Sequence, residues 1–261
     1  MLRQMTDASD LPPRLRDNHP NVVMEAEHTI GIDIGGTKIR GILWNGRRAI
    51  RAREIATPKN EQVFARQIAA LVFALSRQKP PAAIAVGAAG IVEKATLVSS
   101  PNIPLIKCFD FRPLWPRAVP LRLDNDARCF ARAELLRGAG RGARSLFALT
   151  IGTGVGRAFG RDGKIIKLKR FEYPEPWERD YQTLRDRRDD RELADFLGKK
   201  LFPLMRPFNP QVIVLGGGVM ERHGFLRRLQ RSLKARGLRV KMRRARFGKN
   251  AVAIGAALLL N

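Results

Sequence analysis

The chain has 261 residues, 44% hydrophobic and 28% charged, enough to bury a core in one large domain or two smaller lobes. No run of about 18 apolar residues occurs, and the first residues lack the basic-then-apolar order of a secretory signal, so a membrane span or export is not expected and a cytoplasmic protein is. Forty-nine Lys and Arg against 24 Asp and Glu give a formal net charge of +25. That leaves association with a nucleic acid or another polyanion open, although no aromatic-interleaved platform or zinc-finger spacing accompanies the basic residues.

Residues 1–27 mix Pro, Asp, Asn and Arg without periodicity and read as a disordered extension. From Thr29 to Ile34 the chain is rich in β-branched residues, Gly35-Gly36 breaks the run, and Ile39 to Trp44 resumes it up to Asn45-Gly46, a strong hairpin signal. A third strand is expected at Ala49 to Ile55. Glu61 to Ser76 sets Phe64, Ile68, Leu71, Val72 and Leu75 at helical spacing. Ala82 to Gly87 reads as a buried strand, and Leu121 to Leu123 leads through Asp124-Asn125-Asp126 into a helix from Ala127 to about Leu136. Cys108 and Cys129 have no partner of metal-ligand spacing and are expected to be buried free thiols.

Ser145 to Ile151 is again a strand, broken by Gly152-Thr153-Gly154 and followed by another strand and a turn at Asp162-Gly163. Strand, glycine turn, strand and X-Gly hairpin therefore occur twice, which implies two related lobes. The dense Arg and Asp residues of Glu178 to Glu192 suggest a solvated charged helix or a flexible loop. Arg191 to Met205 forms an amphipathic helix, Val212 to Leu215 a buried strand, Phe225 to Arg236 a basic helix, and Ala251 to Leu260 a small-residue helix between the lobes.

A strand that breaks into glycines and turns back exposes backbone N–H groups with no Cβ in the way, a natural cradle for phosphates. Asp33, Gly35, Gly36, Thr37 and Lys38 make the first such turn, and Asp33 adds a carboxylate for hydrated Mg²⁺. Gly152, Thr153 and Gly154 make the second. Neither fits a P-loop or a dinucleotide fingerprint, because the first turn leads into a strand instead of a helix. Taken alone, Asn125-Asp126 reads as a helix cap.

The segments Gly31 to Gly41 (GIDIGGTKIRG), Ser100-Pro101-Asn102, Asp124 to Ala127 (DNDA), Gly152 to Gly156 (GTGVG) and Val214 to Val219 (VLGGGV), in this order, resemble the ROK family of sugar kinases and sugar-responsive repressors. The resemblance implies an α/β, duplicated actin-like ATPase (ribonuclease H-like) fold of two lobes around a central cleft. It places an N-terminal lobe at 28–123, with the 251–260 helix packing near it, and a shortened C-terminal lobe at 124–250. It further implies ATP and Mg as cofactors, transfer of the γ-phosphoryl group to a sugar hydroxyl, Asp126 as the catalytic base, and Asn102 and Asn125 as sugar contacts. Gly216, Gly217 and Gly218 match the turn against which the adenosine lies, and a homodimer is left open.

The chain departs from the family pattern after the second hairpin. The Glu-x-Gly-His element and the Cys-rich zinc motif are missing, so no zinc site is expected. Glu175 falls at the position of the first Glu, where it is either a sugar contact or a surface Glu beside two prolines. Three readings stay open: an ATP-dependent kinase acting on a hexose or amino sugar, a non-catalytic nucleotide- or sugar-binding regulator, and a kinase that uses polyphosphate as donor.

Overall fold

A computed structural model describes residues 28–77, 81–104 and 106–260; the expected extension over 1–27 lies outside them. The first sheet begins with β1 (Thr29–Ile34), β2 (Lys38–Trp44) and β3 (Ala49–Ala56), an antiparallel meander. Helix α1 (Glu61–Ser76) follows, and β4 (Ala83–Ala88) returns parallel to β1. Three short strands, β5 (Ile91–Glu93), β6 (Thr96–Ser99) and β7 (Phe109–Asp110), form a separate small sheet, and β8 (Leu121–Asn125) rejoins the first sheet beside β4.

After α2 (Asp126–Leu136) come β9 (Ser145–Ile151), β10 (Val155–Arg161) and β11 (Lys164–Ile166), again an antiparallel meander. Helices α3 (Glu178–Arg187) and α4 (Asp190–Met205) precede β12 (Val212–Gly216), parallel to β9. Then α5 (Phe225–Ala235) leads to β13 (Lys241–Arg244), parallel to β12, and α6 (Ala251–Ala257) closes the fold. The two sheets run β3-β2-β1-β4-β8 and β11-β10-β9-β12-β13. The repeat legible in the sequence is thus a repeat of topology, carried through to the outer parallel strand of each sheet.

Burial explains the patterns. Strand β1 is covered on both faces, by α1 and by α6, so it reads as a nearly continuous apolar run with only Asp33 partly exposed. Helix α1 starts where the Asn60 side chain accepts from the Val63 N–H, and its apolar stripe of Phe64, Ile68, Leu71, Val72 and Leu75 faces the first sheet. Phe64 also meets Phe109 and Phe111 of the small-sheet region, with ring centroids 5.1 and 6.5 Å away. A second core gathers α3, α4 and α5 on one face of the second sheet, and α2 covers the other.

Several expectations need correction. Cys129 is fully buried in α2 but Cys108 is exposed. The 178–192 stretch is the charged, largely exposed helix and not the flexible loop, but it is not wholly solvated, since α3 buries Tyr181 against the second core. The last helix ends at Ala257, not Leu260, and packs on α2 and on β1, β2 and β4. The expected lobe boundary between 123 and 124 falls inside β8, so Asp124 and Asn125 belong to the first sheet.

Candidate active site

Both glycine turns and the end of β12 open onto one cleft of about 1390 Å³, lined from the first sheet by Asp33, Gly35, Gly36 and Lys38 and from the second by Gly152, Thr153, Gly154 and Gly216 to Gly218. Asn102, Asn125, Asp126 and Glu175 line it too. Of the residues singled out from the sequence only Thr37 stands outside this lining; it is exposed at the tip of the first turn.

The turns are held from outside. Thr57 donates its backbone N–H to the Thr37 carbonyl (2.9 Å) and its hydroxyl to the Gly35 carbonyl (2.7 Å). In the second turn the Tyr181 hydroxyl donates to the Gly152 carbonyl (2.6 Å), and Arg185 Nη1 donates to the Gly152 and Thr153 carbonyls (3.1 and 2.8 Å). With these carbonyls engaged, the N–H groups of Thr153 and Gly154 have no protein acceptor among the described residues. Such unpaired donors suit an anion.

Gly217 turns the chain at the end of β12 with φ +93° and ψ 163°, a region open only to glycine. A Cβ there would stand 2.7 Å from the Ile151 backbone nitrogen, so the turn lies directly against the end of β9. Asn102 backs onto the first turn in the same way: a Cβ on Gly36 would come within 2.6 Å of the Asn102 Cβ.

Asp33 ends β1 and Asp126 opens α2. Burial, reinforced by the negative charge of Asp126, pushes the Asp33 carboxyl up to about 8. Burial also raises Asp126, against the opposing hydrogen bond from the Ala127 N–H. Lys38 is drawn to Glu54 (2.7 Å), which also holds Arg40 (2.9 Å). Asn125 is the N-cap of α2: its side-chain oxygen accepts from the Ala127 and Arg128 N–H groups, and its amide donates to the Gly90 carbonyl (3.0 Å). The cap reading is therefore correct for Asn125, and the residue faces the cleft as well.

Sequence reasoning missed the wall opposite the first turn. Arg128 is buried between Asp124 and Glu172, and Arg132 reaches the second Asp124 oxygen (2.7 Å). Arg157, from β10, is 2% exposed and pairs with Glu175 (3.1 Å) and Glu178 (3.6 Å). Glu175 is thus paired and partly buried, not a free surface carboxylate. An Arg following GTGVG was the one available signal, since a charged side chain in a strand otherwise buried needs a partner.

A family model described as the ROK family matches residues 29–168 and 189–261. The unmatched stretch is the segment that carries Glu172, Glu175, Glu178, Tyr181 and Arg185. The glucokinase of Streptomyces coelicolor is 32% identical over 136 residues, 49% of this chain and 42% of that protein, so the alignment spans under half of the relative's length. The chain is also similar in structure to a ROK family glucokinase from Streptomyces griseus solved with glucose and AMPPNP, with TM-score 0.75 and 23% identity over 89% of this chain and 98% of that one. A polyphosphate/ATP-glucomannokinase from Arthrobacter sp. strain KM gives TM-score 0.72 and 26% identity, with coverage of 89% and 98%. These likenesses show the duplicated actin-like ATPase fold. Among the described residues no helix is long and apolar enough to cross a membrane.

Proposed function

Because the chain belongs to the ROK family, we propose that it is a sugar kinase that transfers the γ-phosphoryl group of ATP to a hydroxyl of a hexose or amino sugar. The observation that carries this reading is the convergence of Asp33, both glycine turns and Asp126 on one cleft. The similar proteins are named glucokinase and glucomannokinase.

In this reading the unpaired N–H groups of the second turn and those of the first hold the triphosphate, and the turn at Gly216 to Gly218 receives the adenosine. No group of three or more His, Cys, Asp or Glu that could hold a metal occurs among the described residues. Asp33, on the cleft lining at the end of β1, is the carboxylate that would hold Mg²⁺, which favours one or two carboxylates plus phosphate oxygens over a protein cage. When bound, the ion would neutralise charge on the transferring phosphoryl group. Asp126 accepts the proton of the sugar hydroxyl, and the burial that raises its pKa makes it a better base than an exposed carboxylate. Asn102, Asn125 and Glu175 supply hydrogen-bonding groups for the sugar.

The test is ADP release from MgATP across hexoses, hexosamines and N-acylated amino sugars, with Asp126→Asn alongside. We expect sugar-dependent release, reduced about 10²–10⁴-fold in the variant while ATP binding is kept. Full turnover by the variant would remove Asp126 as the base. No release with any sugar, from protein that binds ATP, would favour the non-catalytic regulator; sugar phosphate formed only when polyphosphate replaces ATP would favour the polyphosphate donor.

A further inference from the structure

Arg157 is the most deeply buried cation near the cleft, and its surroundings are one-sided. It stands on β10 just beyond the second glycine turn, with its guanidinium carbon 5.9 Å from the Phe171 ring centroid. Nη2 donates to the Tyr173 carbonyl (2.6 Å) and Nη1 stands 3.1 Å from Glu175 as an ion pair, but among the described residues neither Nη1 nor Nε has a hydrogen-bond partner. Among the described residues its hydrogen bond, its ion pairs and its aromatic contact all go to the 171–178 segment, within the stretch outside the family match.

Glu178 completes the arrangement. One of its oxygens accepts from the Glu175 N–H (2.9 Å), and the other accepts from the Val155 N–H (3.3 Å), the first residue after the second glycine turn. A buried ion pair gives little net stability, because both charges must leave water, but it fixes the geometry of what it joins. Here it joins the wall that carries Glu175 to the strand that carries the phosphate-facing turn.

We propose that Arg157 is a positioning residue: by holding Glu175 and Glu178 together it sets the acceptor-side wall of the cleft and, through the Glu178–Val155 bond, ties that wall to the second glycine turn. The terms acceptor and phosphate rest on the kinase reading, whereas the mechanical link does not. The wall presents a carboxylate to the cleft with the arginine charge already neutralised behind it.

The experiment compares the full chain with Arg157→Met, Arg157→Lys and Glu178→Gln by amide hydrogen exchange and, where turnover exists, by KM for sugar and for ATP. In Arg157→Met we expect exchange of the Val155 and Glu175 amides to rise at least about tenfold while β1 and β4 keep their protection. KM for the sugar should rise by a similar factor, with a smaller change for ATP. Lys keeps the charge without the planar fork, so Arg157→Lys should recover part of both effects. Unchanged exchange at Val155 and Glu175 would overturn the proposal, as would faster exchange spread evenly over the second sheet, which would make Arg157 an ordinary core residue. If Arg157→Met does not fold, Glu178→Gln, which keeps the side-chain size, decides by the same two amides. A chain that turns over no sugar would sink the kinase reading alone, and the exchange measurement would still decide on Arg157.

Discussion

At the scale of single residues, the site is governed by what surrounds each carboxylate and each glycine. Burial raises both Asp33 and Asp126, and the charge of Asp126 raises Asp33 further, whereas Glu175 is matched by a cation and Glu54 by two. Two unmatched carboxylates in one cleft are what a hydroxyl proton acceptor and a cation ligand require. Gly217 is the clearest single position to test. Its φ and ψ exclude any residue with a Cβ, and the added atom would press on the β9 backbone. Gly217→Ala should cost about 1–3 kcal/mol in denaturant unfolding and weaken ATP binding, because the turn must shift away from β9. An unchanged unfolding midpoint and ATP affinity would show that the turn relaxes without consequence. The glycines and the Asn-Asp pair were legible residue by residue, since their roles follow from backbone freedom and side-chain reach. Cys108 was not, because whether a lone thiol is covered depends on a loop path that its neighbours do not encode.

At the scale of elements, the helices and strands with strong periodicity appear within one or two residues of their expected ends, as α1, β9 and α4 do. The misses share a cause. The strands β5 to β7 are too short to show alternation, and β13 is a basic edge strand with little apolar signal. Helix α3 hides its role because a single aromatic, Tyr181, makes its buried contact while charged residues dominate its composition. The start of α4 offers a test of local chemistry. Asp189 caps it, its carboxylate accepting from the Glu192 and Arg191 N–H groups, and these bonds hold its pKa below the usual range. A depressed folded-state pKa contributes stability that is present above the unfolded value, about 3.9, and lost as pH falls through the folded one. Asp189→Ala should thus lower the melting temperature at pH 7, and the gap to the parent chain should close below about pH 4. A gap that stays constant with pH would mean that the side chain acts by packing and not as a charged cap.

At the scale of the whole molecule, duplication and charge are the two features to account for. The repeated sheet order sets two glycine turns face to face, so the cleft arises from the symmetry of the fold and not from any one loop. The charge is unevenly placed: from Arg222 to Asn261 there is no acidic residue, and Arg244 and Lys249 of that stretch lie on the cleft lining. Cations on that side of the cleft attract anions, and the attraction is screened by salt over about 8–10 Å. ATP affinity should consequently fall as ionic strength is raised from about 0.05 to 0.5 M; an affinity indifferent to salt would show that the net charge of +25 does not focus on the cleft.

The sequence by itself determined the duplicated pattern, the positions of both glycine turns, and the Asn-Asp pair ahead of a helix. Each of these is written in adjacent residues whose backbone preferences need no distant partner. Only the tertiary structure decided that Arg157 lies beneath Glu175 and Glu178, that Arg128 bridges Asp124 and Glu172, and that Tyr181 and Arg185 grip the second turn. Those pairings join elements through an irregular connection, and which charge meets which is settled by how the connection packs, because a buried ion must find its partner wherever the fold brings one.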